Sequence, residues 1–308
     1  MLTYISKSGD VYYNLALEYR LALAYGKTSN ILYLWSNDKA VVIGAHQIAA
    51  REANCQALFE EGGKLARRFS GGGAVYHDKH NLCFSFIGPQ CGFSIDKNYG
   101  IILSALKVFG INACLSGRND LEYGGKKFSG NAYYTKEGVT VHHGTLLIDT
   151  NVSAMARFLN ADKEKLQGHG VQSVSKRVVN LKSVNKHITK TALIREIIAQ
   201  AKGISAAFVK LSAEDKKEIS LYRKQFGGEK WLFNFEKYGN SALKRFSWGN
   251  AEIHYEVAVG KIIKLKIYTD CLDTQEIERV EQELLGKNPL TLTDTGSGIY
   301  NDIISLFK

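Results

Sequence analysis

Arg67-Arg68-Phe69-Ser70-Gly71-Gly72-Gly73-Ala74-Val75-Tyr76-His77-Asp78 is the stretch on which the fold of this chain turns. Three consecutive glycines let backbone N–H groups approach an anion closely and point at it together. The two arginines just upstream carry fork-shaped donors suited to phosphate oxygens. No Gly-Lys-Ser/Thr follows, so this is not a Walker A loop, and the spacing is not GxGxxG. A hinge or tight turn is the plainer reading of a bare triple glycine. The adjoining arginines and Ser70 favour anion binding, because so polar a cluster beside pliant backbone calls for an anionic partner. Upstream, residues 53–61 read as a helix stopped by Gly62-Gly63; downstream, Leu82, Phe84 and Phe86 alternate as in a strand.

Farther out, residues 14–25 are rich in Ala and Leu, with Asp10 near their start and Gly26 just past their end, and predict a helix. Residues 31–35 and 41–43 are short apolar runs split by Asn37-Asp38, which predicts paired strands. Helical spacing recurs at 99–109 and 154–159, a strand is expected at 145–148, and 189–226 read as helical and charged. From Phe246 the pattern changes. Ile253, Tyr255 and Val257 alternate with Glu252, His254 and Glu256, and after Gly260 a second alternation runs through Ile263, Leu265 and Ile267. That predicts a strand pair with one solvated face, followed by an amphipathic helix over 274–285. Strands and helices alternate without a strict βαβ rhythm. The expected fold class is α+β (mixed-sheet α/β), with a large domain over 1–240 and a small α/β C-terminal domain over 246–308.

The 308 residues are 45% hydrophobic and 23% charged, the profile of a soluble globular protein. Lys plus Arg outnumber Asp plus Glu 40 to 30, giving a net charge of +10. Such an excess suits nucleic acid, an anionic membrane, an acidic protein or a phosphate-bearing substrate. It is spread along the chain, which speaks against a nucleic-acid groove. No stretch approaches the ~20 apolar residues of a membrane span. Lys7, Asp10, Glu18 and Arg20 break any signal-peptide pattern. Five cysteines without a CxxC pair and only two prolines predict no disulfide framework, no structural zinc and no long linker. The expected setting is the cytoplasm, with reduced thiols.

Two further segments offer chemistry. Gly117-Arg118-Asn119-Asp120 is followed by Lys126-Lys127-Phe128-Ser129-Gly130-Asn131-Ala132. Asn and Asp oxygens suit Mg²⁺ bound alongside substrate phosphates, and a lysine before a Ser-Gly turn can hold a carboxylate or phosphate as a point charge. Either half alone reads more readily as a solvated turn. In Val141-His142-His143-Gly144-Thr145, adjacent histidines on a strand point to opposite faces and cannot share one metal. Asp78 could orient the His77 imidazole, although a surface pair reads as easily. Cys83 in an apolar strand and Cys114 beside an apolar helix end both read as buried and inert.

Together these segments resemble the lipoate–protein ligase family, within the biotin/lipoate ligase superfamily. Residues 67–78 are similar to that family's adenylate-binding loop. GRNDL at 117–121, KKFSGNAY at 126–133 and HHGTLLID at 142–149 follow in the family's order at similar spacing. NLALE at 14–18 and IGAHQ at 43–47 resemble its early helix and strand turn. The stretch from 246 (FSWGNAEIHYEVAVGKI) resembles the accessory domain of two-domain bacterial ligases.

The resemblance implies a two-step reaction. Lipoate and ATP with Mg²⁺ give lipoyl-AMP and pyrophosphate, and the lipoyl group then passes to a lysine of an acceptor domain, releasing AMP. By position, Lys127 matches the family's lysine that touches both the lipoyl carboxyl and the nucleotide phosphate. Arg68 and Gly71, Gly72, Gly73, Ala74, Val75, Tyr76 and His77 match the ATP- and adenylate-binding loop. Ser70, with Gly73, His77 and Lys127, matches the lipoate site, and Asn119 and Asp120 the polar pair near Mg²⁺ and the phosphates. Tyr134 stands where some relatives have an arginine, a departure that bears on an ionic contact there. The implied acceptors are lipoyl domains of 2-oxoacid dehydrogenase E2 subunits and the glycine cleavage H protein. Lipoate or octanoate and ATP are the implied small molecules, no nucleic acid or membrane is implied, and nothing demands more than a monomer.

The residue chemistry agrees with that reading. Joining a carboxylate to an α-phosphate brings two anions together, and Lys127, Arg68, loop N–H groups and Mg²⁺ would offset their repulsion. The second step needs a neutral amine, and an unperturbed lysine of pKa ~10.4 is neutral only about one part in a thousand near pH 7.4. A slim apolar tail suits the aliphatic residues around Ala74 and Val75. The net charge of +10 would steer acidic acceptor domains. The small domain is expected to change orientation between the two steps. Two alternatives stay open. An ATP-independent octanoyl- or lipoyl-transferase would need a nucleophilic cysteine late in the catalytic domain, and none lies between Cys114 and Cys271. A non-catalytic module binding lipoyl-AMP or an acyl carrier would not need Lys127, Arg68 and the loop glycines together.

Overall fold

A computed structural model describes residues 1–117, 119–160, 177–201, 208–294 and 298–307. Helix α1 (Val11–Tyr25) begins where the Asp10 carboxylate accepts the Tyr12 N–H, and ends at Gly26. It buries Leu15, Ala16, Leu17 and Leu21 together with the polar Asn14 and Glu18. Each fully buried leucine contributes roughly 1.5–3 kcal/mol.

The strands are β1 (Leu2–Ile5), β2 (Ile31–Trp35), β3 (Ala40–Ile43), β4 (Lys64–Arg67), β5 (Val75–His77), β6 (Asn81–Pro89), β7 (Cys114–Ser116), β8 (Asp120–Tyr123), β9 (Lys126–Lys136), β10 (Val139–Leu147), β11 (Asn240–Phe246), β12 (Gly249–Ala258) and β13 (Lys261–Thr269). The longer helices after α1 are α2 (Ile95–Val108), α3 (Lys190–Gln200), α4 (Ala213–Phe226) and α5 (Thr274–Leu284). Seven strands form one mixed sheet in the order β1-β2-β6-β10-β9-β8-β7, and β4-β3-β5 form a small sheet. One face of the large sheet is covered by α1 and α4, through Tyr33, Ile87, Val141, Ile219 and Phe226. The other face packs Phe84, Phe86 and Phe128 against α2 and α3. Helices on both faces and sheets of mixed direction make this the expected α+β, mixed-sheet layout.

The third sheet, β11-β12-β13, is antiparallel and belongs to the C-terminal part of the chain. Ile253, Ile262 and Ile267 pack there on α5 and on Gly298–Ile304 in a separate apolar core. Its first strand starts at Asn240, ahead of the pattern change at Phe246, because the exposed residues of β11 carry no clear alternation.

Several expectations need correction. β2 and β3 do not pair: β2 lies between β1 and β6, and β3 between β4 and β5. All their residues are buried, so each is an inner strand of its own sheet. Residues 189–226 are not one helical stretch but α3 and α4, with 202–207 outside the described residues. Cys114 is exposed on edge strand β7, not buried. Lys127 lies on β9 rather than in a turn; the turn is at Gly124-Gly125, with φ of +56° and +72°.

Candidate active site

The glycine loop connects β4 of the small sheet to β5, and its interior is held by the two arginines. Arg67 is buried, and every nitrogen of its guanidinium meets a carbonyl: Trp231 at 2.9 Å, Leu232 at 2.7 Å, and Gly44, Ala45 and Gln47 at 2.7–3.1 Å. Arg68 is also buried and donates to Ser70 Oγ at 3.0 Å, Val42 O at 3.1 Å, Gly71 O at 2.6 Å and Gly73 O at 2.8 Å. Burial lowers both guanidinium pKa values to about 10, which still leaves them cationic at neutral pH. Among the described residues neither forms an ion pair with a carboxylate, so the loop lies in a net positive field.

Two glycines are required by what touches them. A Cβ at Gly71 would collide with the Cys271 carbonyl, and Gly72 has a φ of +86° while its N–H donates to that carbonyl at 3.1 Å. At Gly73 a Cβ would meet open space.

The loop faces a cleft of about 620 Å³, part of it open to solvent, between the α1 side of the large sheet and the small sheet. Gly72, Gly73, Ala74, Val75, His77, Arg68, Asn119 and Lys127 all line it. Four predicted residues, Ser70, Gly71, Tyr76 and Asp120, do not. Tyr76 turns into the small-sheet core, its ring 5.7 Å from that of Phe158. Ser70 is 0% exposed, beneath the cleft surface, with its hydroxyl 2.7 Å from His143 Nε2.

The inner end of the cleft is apolar, built from Leu15, Trp35, Val42 and Cys83. His77 joins them as a neutral ring. Burial depresses its pKa to about 3, and its Nδ1 accepts from Asn37 Nδ2 at 2.9 Å. Asp78 does not orient it. That carboxylate accepts the N–H groups of His80 and Asn151, both at 2.9 Å, and shapes the local turns instead. Burial pushes the Cys83 thiol well above its usual pKa, which makes it a poor nucleophile.

Across the mouth stands Lys127 on β9, its side chain 38% exposed and its Nζ 2.8 Å from Asp120 Oδ1 on β8. Gly130 makes room for it, since a Cβ there would lie 3.0 Å from Lys127 Nζ. Asn131 brackets the neighbouring turn: its backbone N–H and Nδ2 donate to Asn119 O at 3.0 and 2.9 Å, and Asn119 Nδ2 donates back to Asn131 O. Gly144 lacks a Cβ where the Asn131 amide lies. Arg118 lies outside the described residues. Tyr134 is buried beside Phe69, and its hydroxyl has no hydrogen-bond partner among the described residues. Among those residues, no group of three or more His, Cys, Asp and Glu could hold a metal ion.

Sequence reasoning missed Trp35, Asn37 and Glu18. Asn14 and Glu18 are fully buried polar residues four apart on an otherwise apolar helix. That anomaly was a readable signal.

The small domain reaches this site through polar contacts. Besides the Cys271 carbonyl on Gly72, Thr269 N donates to His46 O at 2.9 Å and Gln275 Nε2 to Thr135 O at 3.1 Å. Arg51 forms a forked pair with Glu252, whose carboxylate also lies 2.6 Å from His254 Nε2.

Residues 10–202 match the lipoyl protein ligase A/B catalytic domain, and residues 236–289 match the bacterial lipoate protein ligase C-terminus. A lipoate-protein ligase A of Blochmanniella floridana is 34% identical over 292 residues, covering 91% of this chain and 87% of that protein. The solved structure of P. falciparum LipL1 in complex with lipoate is 27% identical, with a TM-score of 0.83, covering 99% of this chain and 97% of that one. A lipoate-protein ligase A bound with ATP shares the fold at 22% identity and a TM-score of 0.65, covering 75% of this chain and 97% of that one.

Proposed function

The chain belongs to the lipoate–protein ligase family and is a ligase, and from that premise we propose that it activates lipoate with ATP and transfers it to lysines of lipoyl domains. One observation carries the reading: Lys127 and the glycine loop line the same cleft, together with the apolar side chains of Leu15, Trp35 and Val42. An acyl chain can occupy the inner end while its carboxylate stays at the mouth, where a second anion also finds donors.

In the first step a lipoate oxygen attacks the α-phosphorus of ATP and pyrophosphate leaves. Lys127 lies where it can hold both anions, and the loop N–H groups, once that of Gly72 is released by the Cys271 carbonyl, favour the charge that develops. Arg68 contributes through the loop and through its field, because its donors point at Ser70, Val42, Gly71 and Gly73. Asn119 and Asp120 suit Mg²⁺ brought in with the phosphates, a hard ion that takes few protein oxygens; Asn119 Nδ2 is committed to Asn131, which turns its oxygen the other way. That ion would neutralise phosphate charge and orient the leaving group.

In the second step an acceptor lysine's amine attacks the acyl carbon, AMP leaves and the nitrogen loses a proton. The acceptors proposed are lipoyl domains of 2-oxoacid dehydrogenase E2 subunits and the glycine cleavage H protein. The small domain, joined by polar contacts at Gly72, His46 and Arg51, would reorient between the steps and yield the Gly72 N–H to a phosphate.

The test is incubation with an apo lipoyl domain, lipoate, Mg²⁺ and ATP, weighing the acceptor by intact-mass spectrometry. An ATP-dependent lipoyl mass shift is expected. A shift of the same size without ATP, from an acyl-carrier donor, would replace the ligase reading with the transferase one.

A further inference from the structure

Along the wall of the cleft, which Trp35, His143 and Arg68 help to line, runs a chain of hydrogen bonds that crosses α1, β2, β6, β10 and the glycine loop. Trp35 Nε1 donates to Ser85 Oγ at 3.0 Å, and Ser85 Oγ donates to Glu18 Oε2 at 2.5 Å. His143 Nδ1 lies 3.0 Å from the same oxygen and 3.1 Å from Glu18 Oε1, His143 Nε2 lies 2.7 Å from Ser70 Oγ, and Arg68 Nε donates to Ser70 Oγ at 3.0 Å. Glu18 is 2% exposed.

The direction of each bond follows from the ends inwards. Indole and guanidinium N–H groups only donate, and a carboxylate only accepts. His143 therefore carries its hydrogen on Nδ1, toward Glu18. Its Nε2 is left as an acceptor for the Ser70 hydroxyl, whose oxygen is free to accept from Arg68. One tautomer satisfies every bond. His77 must hold the other. Asn14 Nδ2 donates to two carbonyls and to Asn37 Oδ1, which fixes Asn37 Nδ2 as the donor to His77 Nδ1 at 2.9 Å.

A serine, a histidine and an acid in this order also make up a nucleophilic triad. Two observations speak against that use: Ser70 is 0% exposed, and Arg68 caps its oxygen. What the chain does reach is Arg68, whose remaining donors hold the Gly71 and Gly73 carbonyls.

We propose that Glu18 and His143 are positioning residues for adenylation, holding the glycine loop through Ser70 and Arg68 so that its N–H groups face the cleft. The proposal rests on the ligase reading. A loop pinned by a buried network needs little reorganisation when charge develops in front of it. His143 helps to line the cleft and Glu18 does not, so the effect of changing Glu18 belongs in kcat rather than in lipoate binding, which the apolar end of the cleft governs.

Nitrogen NMR of ¹⁵N-histidine-labelled enzyme reads the tautomers without turnover. Hydrogen on Nδ1 is expected at His143 and on Nε2 at His77; hydrogen on His143 Nε2 in the resting enzyme overturns the relay. In Glu18→Gln the amide oxygen follows the Ser85 hydroxyl, the NH₂ faces His143 Nδ1, and the tautomer should switch. Pyrophosphate release should then fall by up to ~100-fold in kcat, as for partners that orient a ligand, with the KM for lipoate within about threefold. A switched tautomer with unchanged kcat, or a lost kcat with the tautomer retained, overturns the proposal. Because the tautomers need no reaction, a wild-type enzyme that releases no pyrophosphate counts against the ligase reading and leaves the relay judged by the spectrum.

Discussion

Arg68 and Lys127 line one cleft and use their charges in opposite ways. Arg68 is buried, and its donors are taken by Ser70, Val42, Gly71 and Gly73. Lys127 stands at the mouth with a side chain 38% exposed and one ion-pair partner, Asp120. The guanidinium's fork meets several carbonyls at once and so builds the loop. The ammonium is a point charge on a flexible stem and can follow a moving anion. A basic residue at an anion site thus shapes it or acts in it, and burial tells which.

The largest effect that would test this contrast is on catalysis. Lys127→Ala should lower pyrophosphate release by about 10³-fold, the upper range for removing one fixed electrostatic donor. Its thermal midpoint should barely move, because an exposed ion pair contributes only about 0–1 kcal/mol. Near-normal pyrophosphate release from that variant would remove Lys127 from the chemistry.

Arg68→Met should show the reverse weighting. It strands the Gly71 and Gly73 carbonyls, while Ser70 keeps its bond to His143, and each unpaired buried group costs about 1–3 kcal/mol. A loss of about 3 kcal/mol in urea unfolding is expected, with activity falling because the loop is misplaced. If stability is unchanged while ATP binding is lost, Arg68 is a contact residue like Lys127 and the contrast fails.

Acid offers a milder test of the buried side. Burial lowers the pKa values of His77 and His142 to about 3 and of His46 to about 4, all from 6.5. The unfolded chain therefore binds protons that the native state refuses between pH 6.5 and about 3–4, so stability is lost as pH falls through that window. Thermal melts should drop progressively from pH 6.5 to 4.5. At pH 5 unfolding should take up about three protons from these histidines. A flat midpoint across that range would mean that the three rings are solvated.

How much of this was legible beforehand depends on who the partners are. The order of the loop, the Asn119-Asp120 turn, the Lys127 segment and the double histidine could be read because each is a local pattern. His142 and His143 do face opposite ways: His142 stacks on Phe86, while His143 reaches Glu18. What Arg68 binds could not be read, because its partners are mostly backbone carbonyls, which carry no sequence signature. The separation of β2 from β3 was hidden for a similar reason. A run buried on both faces shows no alternation to reveal its neighbours. Cys114 misled because apolar company in sequence said nothing about its edge strand.

The smallest effect bears on the loop's other neighbour. Gly71 and Gly72 meet the small domain at Cys271 and Leu272; the Cys271 carbonyl blocks the place of a Gly71 Cβ and accepts the Gly72 N–H at 3.1 Å. Gly71→Ala should therefore push the small domain off the loop while leaving Arg68's bonds to the Gly71 and Gly73 carbonyls in place. The apolar core of the small domain is its own, so global stability should change only by the inter-domain hydrogen bonds released, about 0.5–1.5 kcal/mol each. Small-angle scattering should show a larger radius of gyration than the wild type without ligand, and ATP should then add little further expansion. If instead the wild type and Gly71→Ala scatter alike with and without lipoate and ATP, the Cys271 contact is not what holds the domain. The loop would then be shaped from within, by Arg68 alone, and the contrast with Lys127 would be sharper still.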